Sequence, residues 1–259
     1  MSSRTSIEPT PAGIDDHTLA HQLATDAGRL LLDVRRELAD AEPRELKDAG
    51  DRRSQEFLAT ALARLRPDDA ILSEEAVDDL TRLAAPRVWI IDPLDGTREF
   101  SEPGRSDWAV HVALWERGEL VAGAVALPAQ GITPATPQVG LGPQDSDQPL
   151  RVAVSRTRPP ELAGTVCREL GGWLVQMGSA GAKAMAVVQG KADIYVHAGG
   201  QYEWDSAAPV AVARAAGLHT SRIDGTPLRY NQPDPHLPDL IICRPEHARA
   251  VLAITANRA

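Results

Sequence analysis

One stretch limits what this chain can fold into more than any other: Arg87-Val88-Trp89-Ile90-Ile91, followed at once by Asp92-Pro93-Leu94-Asp95-Gly96-Thr97. The first five residues show no polar alternation and read as a strand buried on both faces. Pro93 has no N–H and is expected to end the ladder, which leaves Asp92 at the strand's C-terminal end. Asp95 follows three residues later, near enough for both carboxylates to share one cavity. Gly96 permits a tight turn without a Cβ clash. Thr97 stands where a helix could begin, so the Gly96 and Thr97 amides would face the cavity, a setting that favours phosphate.

Two carboxylates this close repel each other unless a cation lies between them. Hard oxygen donors suit Mg²⁺, which usually takes one or two carboxylates and leaves room for a substrate phosphate. Glu74 and Glu75 follow a short strand, Ala70-Ile71-Leu72-Ser73, so one of them could enter the same cleft. Asp205 opens a helix after Trp204, where an acid also suits the helix dipole. Asp-Pro and Asp-Gly are common in capped turns. Five fixed positions together, however, arise by chance in roughly one chain in ten thousand at average residue usage.

Strands and helices alternate along the rest of the chain, which predicts a mixed, layered α/β sandwich. Helical spacing runs from Asp15 to Ala39, with Asp15 or Asp16 as N-cap, and from Asp51 to Leu65 after a loop around Pro43. Trp108 to Glu116 and Glu119 to Leu127 read as a hairpin turning at Arg117-Gly118. The second half carries strands at 150–155, 193–197 and 239–243, and helices at 160–170, 182–189 and 204–216. Four segments follow: a mobile tail over 1–14, an N-terminal α/β half over 15–130, a flexible Pro/Gly/Gln-rich connection over 131–149 and a C-terminal α/β half over 150–259.

The net charge of −9 and pI near 5.3 disfavour binding to a nucleic-acid polymer, which needs a basic surface. An anionic small substrate fits if metal ions invert the charge locally. No apolar run approaches the length that spans a bilayer, and Met1 to Gly13 lacks the apolar core of a secretory signal. Cys167 and Cys243 are too few for a disulfide scaffold and point to a reduced, cytoplasmic protein. The seven histidines are scattered; His111 and His197 read as strand residues, and Asp224-Gly225-Thr226 as a turn.

On these residues the chain resembles the inositol monophosphatase superfamily. Two signatures carry the resemblance: Trp89-Ile90-Ile91-Asp92-Pro93-Leu94-Asp95-Gly96-Thr97 and Glu203-Trp204-Asp205-Ser206-Ala207-Ala208-Pro209. Ser73-Glu74-Glu75 and Gly178-Ser179-Ala180-Gly181-Ala182-Lys183 stand in the same order and spacing. Asp95-Gly96-Thr97-Arg98-Glu99-Phe100 looks most like the CysQ-type 3′(2′),5′-bisphosphate nucleotidases. Ser155-Arg156-Thr157-Arg158 and Arg229-Tyr230-Asn231 resemble stretches of that branch too.

The resemblance implies an α-β-α-β-α layered sandwich and Mg²⁺-dependent removal of the 3′-phosphate from adenosine 3′,5′-bisphosphate (PAP), with PAPS as a further candidate and lithium as an inhibitor. It implies one Mg²⁺ held by Glu74, Asp92 and the Leu94 carbonyl, and a second by Asp92, Asp95 and Asp205. A third is left open. Asp51 would orient the attacking water with Thr97 as its partner, and Glu74 counts with them as catalytic. Gly96 and Thr97 would hold the phosphate, and Leu94, Asp95 and Asp205 also border the substrate. Ser179, Lys183 and Arg156 would contact the rest of it. Where the family usually has Val-Thr-x-Ala-Asp, this chain has Lys47-Asp48-Ala49-Gly50-Asp51, so the Asp is kept and the Thr is absent. Inositol-1-phosphatase, fructose-1,6-bisphosphatase and a catalytically inactive binding homologue are the alternatives. A homodimer is left open.

Overall fold

A computed structural model describes residues 13–144 and 148–256. The expected tail over 1–14 therefore lies outside the described residues except for Gly13 and Ile14. Ile14 packs against the core, and its carbonyl accepts from Arg66 Nη2 at 2.8 Å. The first helix, α1 (Asp16–Glu37), is capped by Asp15, whose carboxylate accepts from the Thr18 amide at 3.0 Å and its hydroxyl at 2.7 Å. Helix α2 (Pro43–Leu65) begins where a loop was expected. Pro43 fits its first turn because an N–H is not needed there, and this puts Asp51 in mid-helix.

Strand β1 (Ala70–Ser73) pairs in parallel with β2 (Arg87–Asp95), and β3 (Ala109–Glu116) and β4 (Glu119–Ala126) continue the first sheet antiparallel, in the order β1-β2-β3-β4. Between the hairpin and β2 lies a short helix, α3 (Thr97–Ser101). The second sheet has the order β6-β5-β7-β9-β8, built from β5 (Arg151–Ser155), β6 (Trp173–Met177), β7 (Ile194–Tyr202), β8 (His219–Ser221) and β9 (His236–Cys243). Helices α4 (Glu161–Glu169), α5 (Ala180–Val188), α6 (Glu203–Ala215) and α7 (Pro245–Thr255) complete the chain.

The alternation along β2 explains the layering. Trp89 and Ile91 pack with α1 and α2, while Val88 and Ile90 face α5 and α6. The far side of α5 and α6 meets the second sheet through Tyr195 and Ile242, and α4 and α7 cover that sheet's outer face through Val166 and Val251. The result is α-β-α-β-α, as expected. Gly123 of β4 lets α6 lie close: a Cβ there would stand 2.6 Å from Ala211 Cβ.

Pro93 does not end the ladder. β2 runs on to Asp95, and the pairing steps from Asp92↔His111 to Asp95↔Ala109, so three residues advance on β2 for two on β3. This bulge absorbs the residue that cannot donate. The expected flexible connection is held over its described part. Thr136 Oγ1 accepts from the Gly123 amide at 3.0 Å, and the Gly142 amide donates to Val188 O at 2.7 Å. β6, β8 and α7 were not anticipated. β6 is a half-exposed edge strand without clean alternation, and β8 has only three residues. Cys167 and Cys243 are buried and free. Among the described residues, no helix is long and apolar enough to cross a membrane.

Candidate active site

Residues three apart on a regular strand point to opposite faces. The β2 bulge restores the parity, so Asp92 and Asp95 look into one cavity. Ligand atoms of Asp92, Asp95 and His111 all lie within 4.8 Å of one another. Ser54 of α2 fixes the bulge from behind, donating to the Pro93 carbonyl at 2.7 Å, and the Leu94 amide donates to Asp92 Oδ1 at 3.0 Å.

Asp95 is met by the start of α5. Its Oδ2 accepts from the Ser179 hydroxyl at 2.6 Å and the Gly181 amide at 2.7 Å, and its Oδ1 from the Ala180 amide at 3.1 Å. His111 Nε2 stands 3.1 Å from Oδ2. Burial alone would raise this carboxyl, but His111, Lys183 and the Ser179 hydroxyl outweigh it and hold it down at about 2. The other acids go the opposite way. Burial, then the charges of Glu74, Asp95 and Asp205, push Asp92 well above the carboxylate range. Glu74 is exposed as a residue, but its carboxyl is shielded; that shielding, then Asp205 and Asp95, raises it to about 7. Burial and then Asp95 raise Asp205 to about 6. Four acids thus act on one another in one place, and the protein alone holds them together only by keeping protons on some of them. A divalent cation relieves that strain with the hard oxygen donors already present, so the residues fit Mg²⁺.

Asp51 is also raised to about 7, by burial and then by Glu75 and Asp48. Its near acid is Glu75, which follows Glu74. The Thr97 hydroxyl donates to the Leu94 carbonyl at 3.3 Å. Asp51 directly follows Gly50, where α2 runs close to the motif: a Cβ on Gly50 would stand 2.9 Å from Leu94 Cδ2.

Asp95, Gly96, Thr97 and Asp205 open onto a cleft of about 930 Å³. Gly96 has φ +84°, and a Cβ there would meet Ser179 Cβ at 2.9 Å, so the turn needs glycine on two counts. Ser179 and Lys183 line the cleft. Both are partly committed: Ser179 to Asp95 and to capping α5, Lys183 to the Gly178 and Ser179 carbonyls. Arg156 does not line the cleft. Its guanidinium pairs with Glu99 at 2.7 Å and Glu102 at 2.9 Å, because the buried Glu99 requires a cation. Arg158, two residues on, lines the cleft instead, with Arg98 and His197.

His111 was read as a strand residue and nothing more. It is on β3, but fully buried beneath the carboxylates, with Nδ1 donating to the Trp204 carbonyl at 3.0 Å next to Asp205. Burial opposes its charge, yet Asp95 and that carbonyl raise its pKa overall. Gly181 makes the space: a Cβ would fall 2.1 Å from His111 Nε2. No local pattern marks a single strand histidine; only the β2–β3 register, which pairs it with Asp92, brings it in.

Residues 16–257 match the model of the inositol monophosphatase family. The chain is 55% identical over 240 residues, 90% of each protein, to a 3′-phosphoadenosine 5′-phosphate phosphatase of Mycobacterium tuberculosis. It is 52% identical over 255 residues, 94% of each, to one of Mycobacterium leprae. Among solved structures, CysQ from Bacteroides thetaiotaomicron, described as a bacterial member of the inositol monophosphatase family, superposes with a TM-score of 0.73 at 26% identity, covering 88% of this chain and 97% of that one.

Proposed function

The chain belongs to the inositol monophosphatase family, and from that premise we propose that it hydrolyses the 3′-phosphate of adenosine 3′,5′-bisphosphate to give AMP and phosphate, with PAPS as a second substrate. It is a phosphatase of the kind its mycobacterial relatives are named for. The observation that carries the reading is the mutual field of Glu74, Asp92, Asp95 and Asp205; two of these acids, Asp95 and Asp205, line a cleft that also presents Arg98, Arg158 and Lys183. One phosphate is handled at the acidic end, and a second finds cations further along.

Metal dependence goes with the family. We assign Mg²⁺ to Glu74, Asp92 and the Leu94 carbonyl, and to Asp92, Asp95 and Asp205; it supplies neutralisation of phosphoryl charge and a more acidic water. The chain's own groups do the rest. Asp51, with a pKa near 7, is suited to take a proton from water around neutral pH. The Thr97 hydroxyl, held on the Leu94 carbonyl, and the Gly96 amide border the phosphoryl position. No Cys or His stands as a nucleophile, so water attacks directly without a phospho-enzyme. The two unpaired cysteines accord with a cytoplasmic location.

Phosphate release from PAP, PAPS, inositol-1-phosphate and fructose-1,6-bisphosphate, with and without Mg²⁺, tests the assignment. The expected result is a kcat/KM highest for PAP and lost in EDTA. Preference for inositol-1-phosphate, or silence on every substrate, refutes it.

A further inference from the structure

Arg82 belongs to no motif, yet it is one of the largest fully buried side chains in the molecule, at 1% exposure. It lies in a short 3₁₀ helix (Leu80–Ala84) on the connection from β1 to β2. That connection starts with Glu74 and is open to water in between: Val77 is 98% exposed. What ties it down is the Arg82 guanidinium. Nε and Nη2 hold the Asp78 carboxylate at 2.7 and 2.8 Å, four residues after Glu74. Nη1 donates to Asn231 Oδ1 at 2.6 Å, and Nη2 to the Gln232 carbonyl at 2.9 Å.

The far side of this contact is equally fixed. Asn231 has φ +59°, a left-handed turn residue. Its amide and that of Gln232 both donate to the buried carboxylate of Glu203, at 2.6 and 2.8 Å. Glu203 is the first residue of α6, two before Asp205, and the Tyr202 amide donates to Asp205 Oδ2 at 2.7 Å. An unbroken chain of charge-assisted hydrogen bonds therefore runs from the Glu74 connection through Asp78, Arg82, Asn231 and Glu203 to the turn that carries Asp205. Glu74 comes from the first sheet and Asp205 from the helix between the sheets, and the two carboxylates repel.

We propose that Arg82 is a positioning residue, which with Asn231 and Glu203 sets the distance between Glu74 and Asp205 and thereby the affinity of the site for Mg²⁺. The inference rests on the assignment of those acids as magnesium ligands. Outer partners of metal ligands change metal affinity by about 10–100-fold when removed.

The test is the melting temperature of the metal-stripped full chain as a function of added MgCl₂, for wild type, Arg82→Met and Asn231→Gly. Glycine keeps the left-handed backbone and the amide that Glu203 uses, and removes the acceptor for the Arg82 guanidinium together with the Nδ2 that reaches the Arg82 carbonyl at 3.5 Å. Binding to the folded state alone raises the melting temperature with ligand concentration, so each curve yields an apparent affinity without turnover. In both variants the curve should shift to Mg²⁺ concentrations about 10-fold higher or more. In parallel, the Mg²⁺ concentration for half-maximal phosphate release should rise more than kcat at saturating metal falls. Arg82→Lys, which restores the charge but not the fork, should recover part of the shift. Variants that melt lower without metal, yet respond to the same Mg²⁺ concentrations as wild type, overturn the proposal. A wild-type curve that ignores Mg²⁺ instead sinks the metal assignment beneath it.

Discussion

Asp205→Asn should make the metal-free protein more stable and the enzyme inactive. Burial and the charge of Asp95 lift this carboxyl from 3.8 to about 6. At 1.36 kcal/mol per pH unit, ionising it in the folded protein costs about 3 kcal/mol. The residue is partly open to solvent, so screening leaves about 1–2 kcal/mol. The sign follows from linkage: a carboxyl whose folded pKa is raised destabilises the native state only once it ionises. The penalty is absent below 3.8, grows up to about 6 and is complete above it. Asparagine removes the charge, and its Oδ1 still accepts from the Tyr202 amide that Asp205 holds at 2.7 Å. In EDTA at about pH 8, the variant should melt roughly 2–8 °C above wild type. At about pH 3, below the unfolded value of 3.8, the two should converge, since wild-type Asp205 is then largely protonated in both states. Added Mg²⁺ should stabilise wild type and leave the variant behind, and phosphate release should be lost. Paired thermal melts across pH and Mg²⁺ give all of this from two proteins. A variant less stable than wild type at high pH without metal refutes the reasoning.

Asp92→Asn removes the carboxylate shared between both proposed metal sets; it should cut phosphate release by more than the roughly 100-fold seen for outer partners, with the circular-dichroism spectrum unchanged. Gly181→Ala drives a methyl into His111 Nε2. Overpacking of about 1–3 kcal/mol, less about 0.5–1 kcal/mol regained from the helical backbone, should lower the urea midpoint with the slope unchanged. Arg158→Ala should raise KM for the bisphosphate roughly 10-fold, the worth of one charged hydrogen bond, whereas Arg156→Ala should leave KM where it was, since that guanidinium is taken up by Glu99 and Glu102.

The layering and most of the acid set were legible in the sequence because each rests on local pattern. An unbroken apolar run announces a buried strand, and Asp92, Asp95 and Asp205 each stand at the end of an element whose type the flanking residues fix. What stayed hidden depends on register. Whether Asp92 and Asp95 share a face turns on one bulge residue, and Pro93 was weighed as a stop when it serves as the bulge. Arg156 looked like a free cation because Glu99, which claims it, lies on α3, 57 residues away in sequence. His111 and Arg82 carry no motif at all. Each matters through a partner on another element, Asp95 in one case and Asn231 in the other.

The close seating of α6 on the first sheet has a consequence for how the enzyme must turn over. Asp205 rides on that helix, and Gly123 brings the helix so near to β4 that a single methyl group would force them apart. A seam filled to that degree does not breathe like a jaw. Asp205 is thus carried through the catalytic cycle on a braced wall rather than on a hinged one. For the same reason the chain severed between its sheets would yield two fragments with raw apolar flanks, each soluble only in the other's company.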